Sequence, residues 1–303
     1  MKTVRLRAFA KINLCLHVLG KRPDDYHELR TIFQAISLHD TLDLSFALGG
    51  GQFHFEMECS DPSLPLNQEN LVFKAVDAVR SEFGIRGNIT ASLHKRIPIA
   101  RGLGGGSSDA AAALLGMLKL TKEELPLERL LEIASGLGAD VPFFLFGGRA
   151  LGVGRGDEIY PLPDGPKQTV LVVSPRNIGV STKDAYQWIS QGVSQELTNR
   201  KNVPKLFGFC ALCWSRQGAG VSNDFEGPVF SRHARLREIR DAVLQEGAAE
   251  AALAGSGSAV FGLFRNPAQA RRAARKFPND SAFVAETLSR EKYGRALQAS
   301  MTG

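Results

Sequence analysis

Gly102, Gly104, Gly105 and Gly106 place four glycines within five positions, between Ile97-Pro98-Ile99-Ala100-Arg101 and Ser107-Ser108-Asp109. That density suits neither a strand nor a helix, because each glycine carries backbone freedom that a regular element must freeze out. The run Ala110-Ala111-Ala112-Ala113-Leu114-Leu115 behind it has high helix propensity, and Ser-Ser-Asp reads as the helix-start signal. A glycine loop feeding a helix N-terminus gathers unpaired N–H groups at the positive end of the helix dipole, an anion site suited to phosphate. A tight turn before a packed helix is the simpler alternative, but a turn needs one or two glycines rather than four. The backbone from Gly104 to Ser108 is expected to hold the anion, with the Asp109 carboxylate turned away because like charges repel.

The loop is not a Walker A element, since no Gly-Lys-Ser/Thr closes it. It also fails as a dinucleotide fingerprint: counted from Gly102 the third glycine position holds Ser107, and from Gly104 it holds Asp109. The chain has 303 residues, enough for two domains, and 44% hydrophobic with 22% charged residues is ordinary for a soluble globular protein. Four cysteines form no disulfide framework and suit a reducing cytoplasm; Cys210-x-x-Cys213 lacks the second Cys/His pair of a metal site. With charges at Lys2, Arg5, Arg7 and Lys11 no apolar leader is expected, and no apolar run is long enough for a membrane span. The formal charge of +6 favours anionic partners in general. Its densest group, Arg271-Arg272-Ala273-Ala274-Arg275-Lys276, reads as a solvated helix face, so no nucleic-acid partner is expected.

From Val4 to Val18 apolar and polar residues alternate as in a strand, broken once by a turn or bulge, which puts Lys11 and Asn13 on one face. On these residues alone a solvent-facing strand edge explains them. Leu19 to Asp25 is a turn cluster, Tyr26-His27 follows it, and a second strand is expected over Thr41–Phe46. Asn70 reads as the N-cap of a helix carrying Leu71, Val72, Ala75, Val76 and Val79. Ile89–Ile97 reads as a strand delivering the chain to the glycine loop, and Leu127–Ala134 as a helix. Asp140 stands directly before the apolar Val141-Pro142-Phe143-Phe144-Leu145-Phe146, where a carboxylate is costly unless paired or used as a cap.

Pro98-Ile99-Ala100-Arg101-Gly102-Leu103-Gly104-Gly105-Gly106-Ser107-Ser108 resembles the nucleotide-phosphate loop of the GHMP kinases. Ala10-Lys11-Ile12-Asn13-Leu14, Asp25-Tyr26-His27-Glu28-Leu29 and Leu38-His39-Asp40-Thr41-Leu42 follow the order and spacing of one branch of that family, with Asp25 where glycine is common. The resemblance implies an α+β, two-domain fold: an N-terminal domain over 1–163 like the second domain of ribosomal protein S5, and a ferredoxin-like C-terminal domain over 164–303. It implies ATP as co-substrate with Mg²⁺, and a cytidine-diphosphate-linked polyol as acceptor. The family's Asn-Leu-x-x-Lys-Ala element turns Asn70 toward adenine, and Lys95 matches a position beside the nucleotide. Ser107 or Ser108 offers a hydroxyl near the phosphates, Glu132 is a weak metal candidate, and the metal ligands otherwise stay unassigned. A cytoplasmic monomer or weak homodimer is expected.

Gly-Ala-Asp-Val-Pro-Phe-Phe resembles the family's catalytic-aspartate element, which makes Asp140 the expected base and Lys11 its electrostatic partner. A hydroxyl acceptor benefits from a carboxylate that takes its proton, and a nearby cation offsets charge developing on the transferred group. By the same resemblance Tyr26 and Tyr186 stack on cytosine, His27 reads its polar edge, and Asn13 and Thr182 orient the acceptor. Ser222-Asn223-Asp224 is expected to cap a helix, Leu253–Ala259 is a second Gly/Ser loop, and residues 199–221 match the family least. Competing readings are a homoserine or mevalonate acceptor on the same fold, an RNA-binding module, and a dinucleotide oxidoreductase.

Overall fold

The structure is a computed structural model describing residues 2–47, 53–193, 220–297 and 300–302. The first sheet is built on two long antiparallel strands, β1 (Lys2–Lys21) and β2 (His27–Ala47). One half of β2 pairs with β4 (Asn88–His94), which carries β3 (His54–Cys59) in parallel. The other half of β2 pairs with β5 (Arg149–Gly154), which hairpins into β6 (Glu158–Pro161). Four helices accompany this sheet: α1 (Leu71–Phe83), α2 (Gly105–Thr121), α3 (Leu127–Leu137) and the short α4 (Val141–Phe146). Val4, Leu6, Leu42 and Leu44 face the alanine-rich side of α2 in its core. Gly116 lets β1 and β2 come this close: a methyl there would lie 2.7 Å from Leu44 and 2.8 Å from Leu6.

Past the proposed division at 163/164 a second sheet begins, with β7 (Thr169–Ser174), β9 (Glu250–Leu253), β10 (Val260–Phe264) and β11 (Ser281–Glu286) in the order β11-β7-β10-β9, all antiparallel. With helices between β7 and β9 and between β10 and β11, this is the β-α-β-β-α-β topology of a ferredoxin-like unit. Its helices are α5 (Thr182–Val193), α6 (Glu226–Arg232), α7 (Ala234–Gln245) and α8 (Pro267–Ala274). The sheet is buried on both faces. One side packs these helices, and the other carries Val170, Val172, Phe261 and Leu263 onto Ala10, Ile12, Ile36 and Leu38 of the first sheet.

That contact explains the main departures from the expected pattern. β1 alternates near its start but is buried continuously from Ala8 through Ile12, because the second sheet covers what would be its outer face. Its register shifts three times rather than once, between Phe9 and Lys11, Asn13 and Cys15, and Val18 and Gly20. Thr41–Phe46 is not a separate strand but the end of β2, which runs unbroken from His27. Ser222–Asn223 forms β8, a parallel bridge onto Cys15–Leu16, and the helix after it begins at Glu226 without a side-chain cap. The tail beyond Tyr293, unremarkable in sequence, returns to the first sheet through α9 (Arg290–Leu297) and β12 (Ser300–Thr302), which pairs with the start of β1. Cys210, Cys213 and most of 199–221 lie outside the described residues.

Candidate active site

A cleft of about 1100 Å³ lies between the two sheets. Its floor is the glycine loop. Ala100, Gly102 and Gly104 take positive φ values of 54°, 78° and 71°, which winds the backbone tightly enough for α2 to start at Gly105. Gly104 is the N-cap and no side chain caps the helix, so Ser107, Ser108 and Asp109 are residues of the helix rather than its start signal. The Ser108 N–H already donates to Gly104 O at 2.9 Å. The N–H groups of Gly105, Gly106 and Ser107 precede that first intrahelical bond, which leaves them able to receive an anion. Ser107 borders the cleft, whereas Ser108 is 1% exposed and its hydroxyl has no partner.

The loop is locked to both sheets. The Lys11 N–H donates to Leu103 O at 2.9 Å, and a methyl on Gly104 would come within 3.0 Å of the Lys11 side chain and 2.7 Å of Phe144. From the other side, a methyl on Gly102 would sit 1.8 Å from Ala254 O, and one on Gly257 2.2 Å from the Arg101 carbonyl carbon. Arg101 Nη1 donates to Ser258 Oγ at 2.6 Å. The second Gly/Ser loop, here the β9–β10 turn, is held by Asn223, whose Nδ2 donates to Leu253 O and Gly255 O.

Lys11 projects from β1 into this junction, 4% exposed. Its Nζ donates to Asn13 Oδ1 at 2.8 Å, which confirms the shared strand face, and lies 3.4 Å from Asp140 Oδ2. Asn13 Nδ2 donates in turn to Thr31 Oγ1, whose hydroxyl donates to Cys15 O, so the amide is fixed at both ends. Asp140 precedes α4 but makes no capping bond; its carboxylate is one-third exposed and faces Lys11 and the cleft. Tyr293 supports α4 from behind, its hydroxyl donating to Phe144 O at 2.6 Å.

At the end of the cleft next to the glycine loop, Asn70 does what the local reading expects: Oδ1 caps α1 by accepting from Val72 N–H, while Nδ2 donates to Pro65 O. Both ends of the amide are therefore spent on backbone, although the residue borders the cleft. Lys95 also borders the cleft, but its ammonium is held between Asp40 Oδ2 at 2.5 Å and Asp109 Oδ2 at 2.6 Å, and all three side chains are at most 6% exposed. Burial alone would lower the lysine pKa; the two carboxylates outweigh it and raise it. Burial likewise raises Asp109, against the pull of Lys95. Asp40 was overlooked in sequence although the buried-charge argument applied to Asp140 holds for it equally; its Oδ1 also receives the N–H groups of Arg96 and Ile97. Pro98, Ile99, Ala100, Arg101 and Leu103 all line the cleft.

At the opposite end of the cleft the aromatic residues meet in an unexpected arrangement. His27 stacks on Tyr186, with centroids 4.6 Å apart and planes 24° from parallel. Tyr26, 53% exposed, is covered by the Arg155 guanidinium at 4.9 Å rather than facing Tyr186. His27 Nε2 is within 3.2 Å of Ser190 Oγ, and burial together with Lys21 lowers its pKa, which favours the neutral ring. Burial and the Asp140 charge raise the Tyr186 phenol. Thr182 and Tyr186 share a face of α5, and Thr182 Oγ1 accepts from Ser256 Oγ–H of the second loop. Lys183 beside it borders the cleft and makes no ion pair among the described residues. Glu132 is paired with Arg129 on the outer surface, away from the cleft. Among the described residues no cluster of three His, Cys, Asp or Glu side chains is arranged to hold a metal, and no helix is long and apolar enough to cross a membrane.

The GHMP kinases N-terminal domain family matches residues 70–148 and the GHMP kinases C-terminal family residues 209–281. A 4-diphosphocytidyl-2-C-methyl-D-erythritol kinase from Solibacter usitatus is 46% identical over 302 residues, covering 98% of this chain and 93% of its own. A crystal structure of 4-(cytidine 5'-diphospho)-2C-methyl-D-erythritol kinase superposes with a TM-score of 0.77 at 34% identity, over 93% of this chain and 98% of that one. Homoserine kinase from Cytophaga hutchinsonii shares the fold, with a TM-score of 0.67 at 19% identity over 99% of this chain and 97% of its own. With its glycine loop, its two-sheet cleft and these full-length relatives, the chain belongs to the GHMP kinase family, in the branch of the 4-diphosphocytidyl-2-C-methyl-D-erythritol kinases.

Proposed function

We propose that the chain transfers the γ-phosphoryl group of ATP to the 2-hydroxyl of 4-diphosphocytidyl-2-C-methyl-D-erythritol, a step of the non-mevalonate isoprenoid pathway. The observation that carries this reading is the Lys11–Asp140 pair, 3.4 Å apart at the edge of the phosphate loop. Asp140 is the carboxylate free of capping duty and open to the cleft, so it takes the acceptor proton. Lys11, fixed by Asn13 and buried, supplies positive charge toward the transferring group without having to reorganise. The N–H groups of Gly105, Gly106 and Ser107 receive the ATP phosphates. The Ser107 hydroxyl and the Asp140 carboxylate are the oxygens suited to a Mg²⁺ held chiefly by phosphate, which supplies charge neutralisation when bound.

The acceptor's cytosine belongs with Tyr26, His27 and Tyr186. A neutral imidazole offers one donor and one acceptor, which suits a base edge presenting both. Seating cytosine between the tyrosines requires the His27–Tyr186 stack to part and Arg155 to move off Tyr26. Lys183, exposed and unpaired among the described residues, suits the acceptor's diphosphate. ADP release measured with the cytidine acceptor, homoserine and mevalonate tests the assignment. Turnover with the first alone is expected; turnover with either of the others at comparable kcat/KM overturns it.

A further inference from the structure

Outside the cleft, β1 and the β8 turn bring together Cys15, His17 and Asp224 in a line. Cys15 Sγ lies 3.1 Å from His17 Nε2, and His17 Nδ1 lies 3.3 Å from Asp224 Oδ1. Cys15 and His17 share a strand face by their i, i+2 spacing, and Asp224 is held in place by the Val18 N–H on its Oδ2 and by its own N–H to Leu16 O. Ser222 Oγ is 3.1 Å from the same sulfur. Arg30 stands on β2 directly opposite His17. A sulfur beside an imidazole that is itself oriented by a carboxylate is the arrangement that turns a thiol into a nucleophile. Nothing in the kinase reaction uses it.

We propose that Cys15 is an activated thiol, a modification site for hydroperoxides and soft electrophiles, and that its modification lowers kinase activity by parting β8 from β1. With hydrogen peroxide the Cys15 thiolate attacks one oxygen, the S–O bond forms as the O–O bond breaks, and the departing hydroxide takes the proton from His17 Nε2. Cys15 becomes a sulfenic acid, the sulfur losing two electrons to the peroxide, and water leaves. Asp224 pairing, ahead of the Cys15 contact, raises the His17 pKa to about 9, so the proton is present at neutral pH. The added oxygen must enter a site where Cys15 is 5% exposed and in contact with Ser222. The neighbouring Asn223 holds the Gly255 loop against the phosphate loop, so displacement of β8 reaches the cleft directly.

Cys59 is the internal comparison: it is less buried, yet its thiol pKa is pushed up by burial with no imidazole beside it. The intact protein is treated with iodoacetamide, and separately with hydrogen peroxide followed by dimedone, and each cysteine is followed by peptide mass spectrometry. Cys15 is expected to react at least tenfold faster than Cys59 at pH 6.5. His17→Asn should remove this advantage. Cys15→Ser should keep the kinase active and make it indifferent to peroxide at doses that inhibit the parent. Labelling of Cys15 no faster than Cys59 overturns the proposal even if the His17 variant does not fold. Full activity after quantitative Cys15 oxidation overturns the link to the kinase.

Discussion

Asp140 Oδ2 stands 3.4 Å from Lys11 Nζ, longer than a tight charge-assisted bond, so the carboxylate is steered by the lysine without being consumed by it. Asp140→Asn keeps the shape and removes the proposed base. Turnover is expected to fall by about 10²–10⁴-fold, while ATP affinity, read by fluorescence or calorimetry, stays within about threefold. A loss of ATP binding as large as the loss of turnover would make Asp140 a structural residue instead.

His27 works at the other end of the cleft. Replacing it with Ala removes the polar edge proposed to read the base. The apparent KM for the cytidine acceptor should rise about tenfold, the size of one or two good contacts, with kcat nearly unchanged. A KM within error of the parent sinks the base-reading role.

Lys95 is the only cation bonded to Asp40 and Asp109 among the described residues. Lys95→Met leaves two buried carboxylates facing each other and should cost about 3–5 kcal/mol in urea unfolding. Asp109→Asn should cost far less, because Asp40 keeps its ion pair with the lysine. Equal losses from the two variants would contradict this division of labour.

The His17–Asp224 pair carries a pH signature. Its pKa in the fold, about 9, lies above the 6.5 of a free imidazole, so its stabilisation is complete below pH 6.5 and fades as pH climbs through 9. His17→Asn is therefore expected to destabilise by about 1–2 kcal/mol at pH 6, allowing for screening of a partly exposed pair, and by much less at pH 10. A penalty that does not change between those pH values rules out the charged pair as its source.

The parts of this molecule legible in the sequence are those whose physics is local. The glycine loop ahead of an alanine helix, the strand alternation that sets Lys11 beside Asn13, and the four-residue spacing of Thr182 and Tyr186 all depend on near neighbours. Three features required the tertiary structure. β1 loses its alternation where the second sheet covers it, which no window of β1 itself records. Arg155 reaches Tyr26 from the β5–β6 turn, so the open aromatic face expected there is occupied by a distant residue. Tyr293 lies in a tail with weak patterning, yet its ring fills the space against Gly147, where a methyl would come within 2.1 Å of it. Asp40 is different: an acidic residue inside a largely apolar strand was open to the same reasoning as Asp140.

The contact between the two glycine loops bears on how this sequence can drift. Gly102 and Gly257 touch no reacting atom in the mechanism above, yet a methyl at either would land inside 2.3 Å of opposing backbone. A saturation library at these two codons, selected only for a working enzyme, should return glycine alone, even for alanine. The width of the glycine-loop end of the cleft is thus written in two hydrogen atoms, a constraint that looks like catalytic invariance but is purely steric.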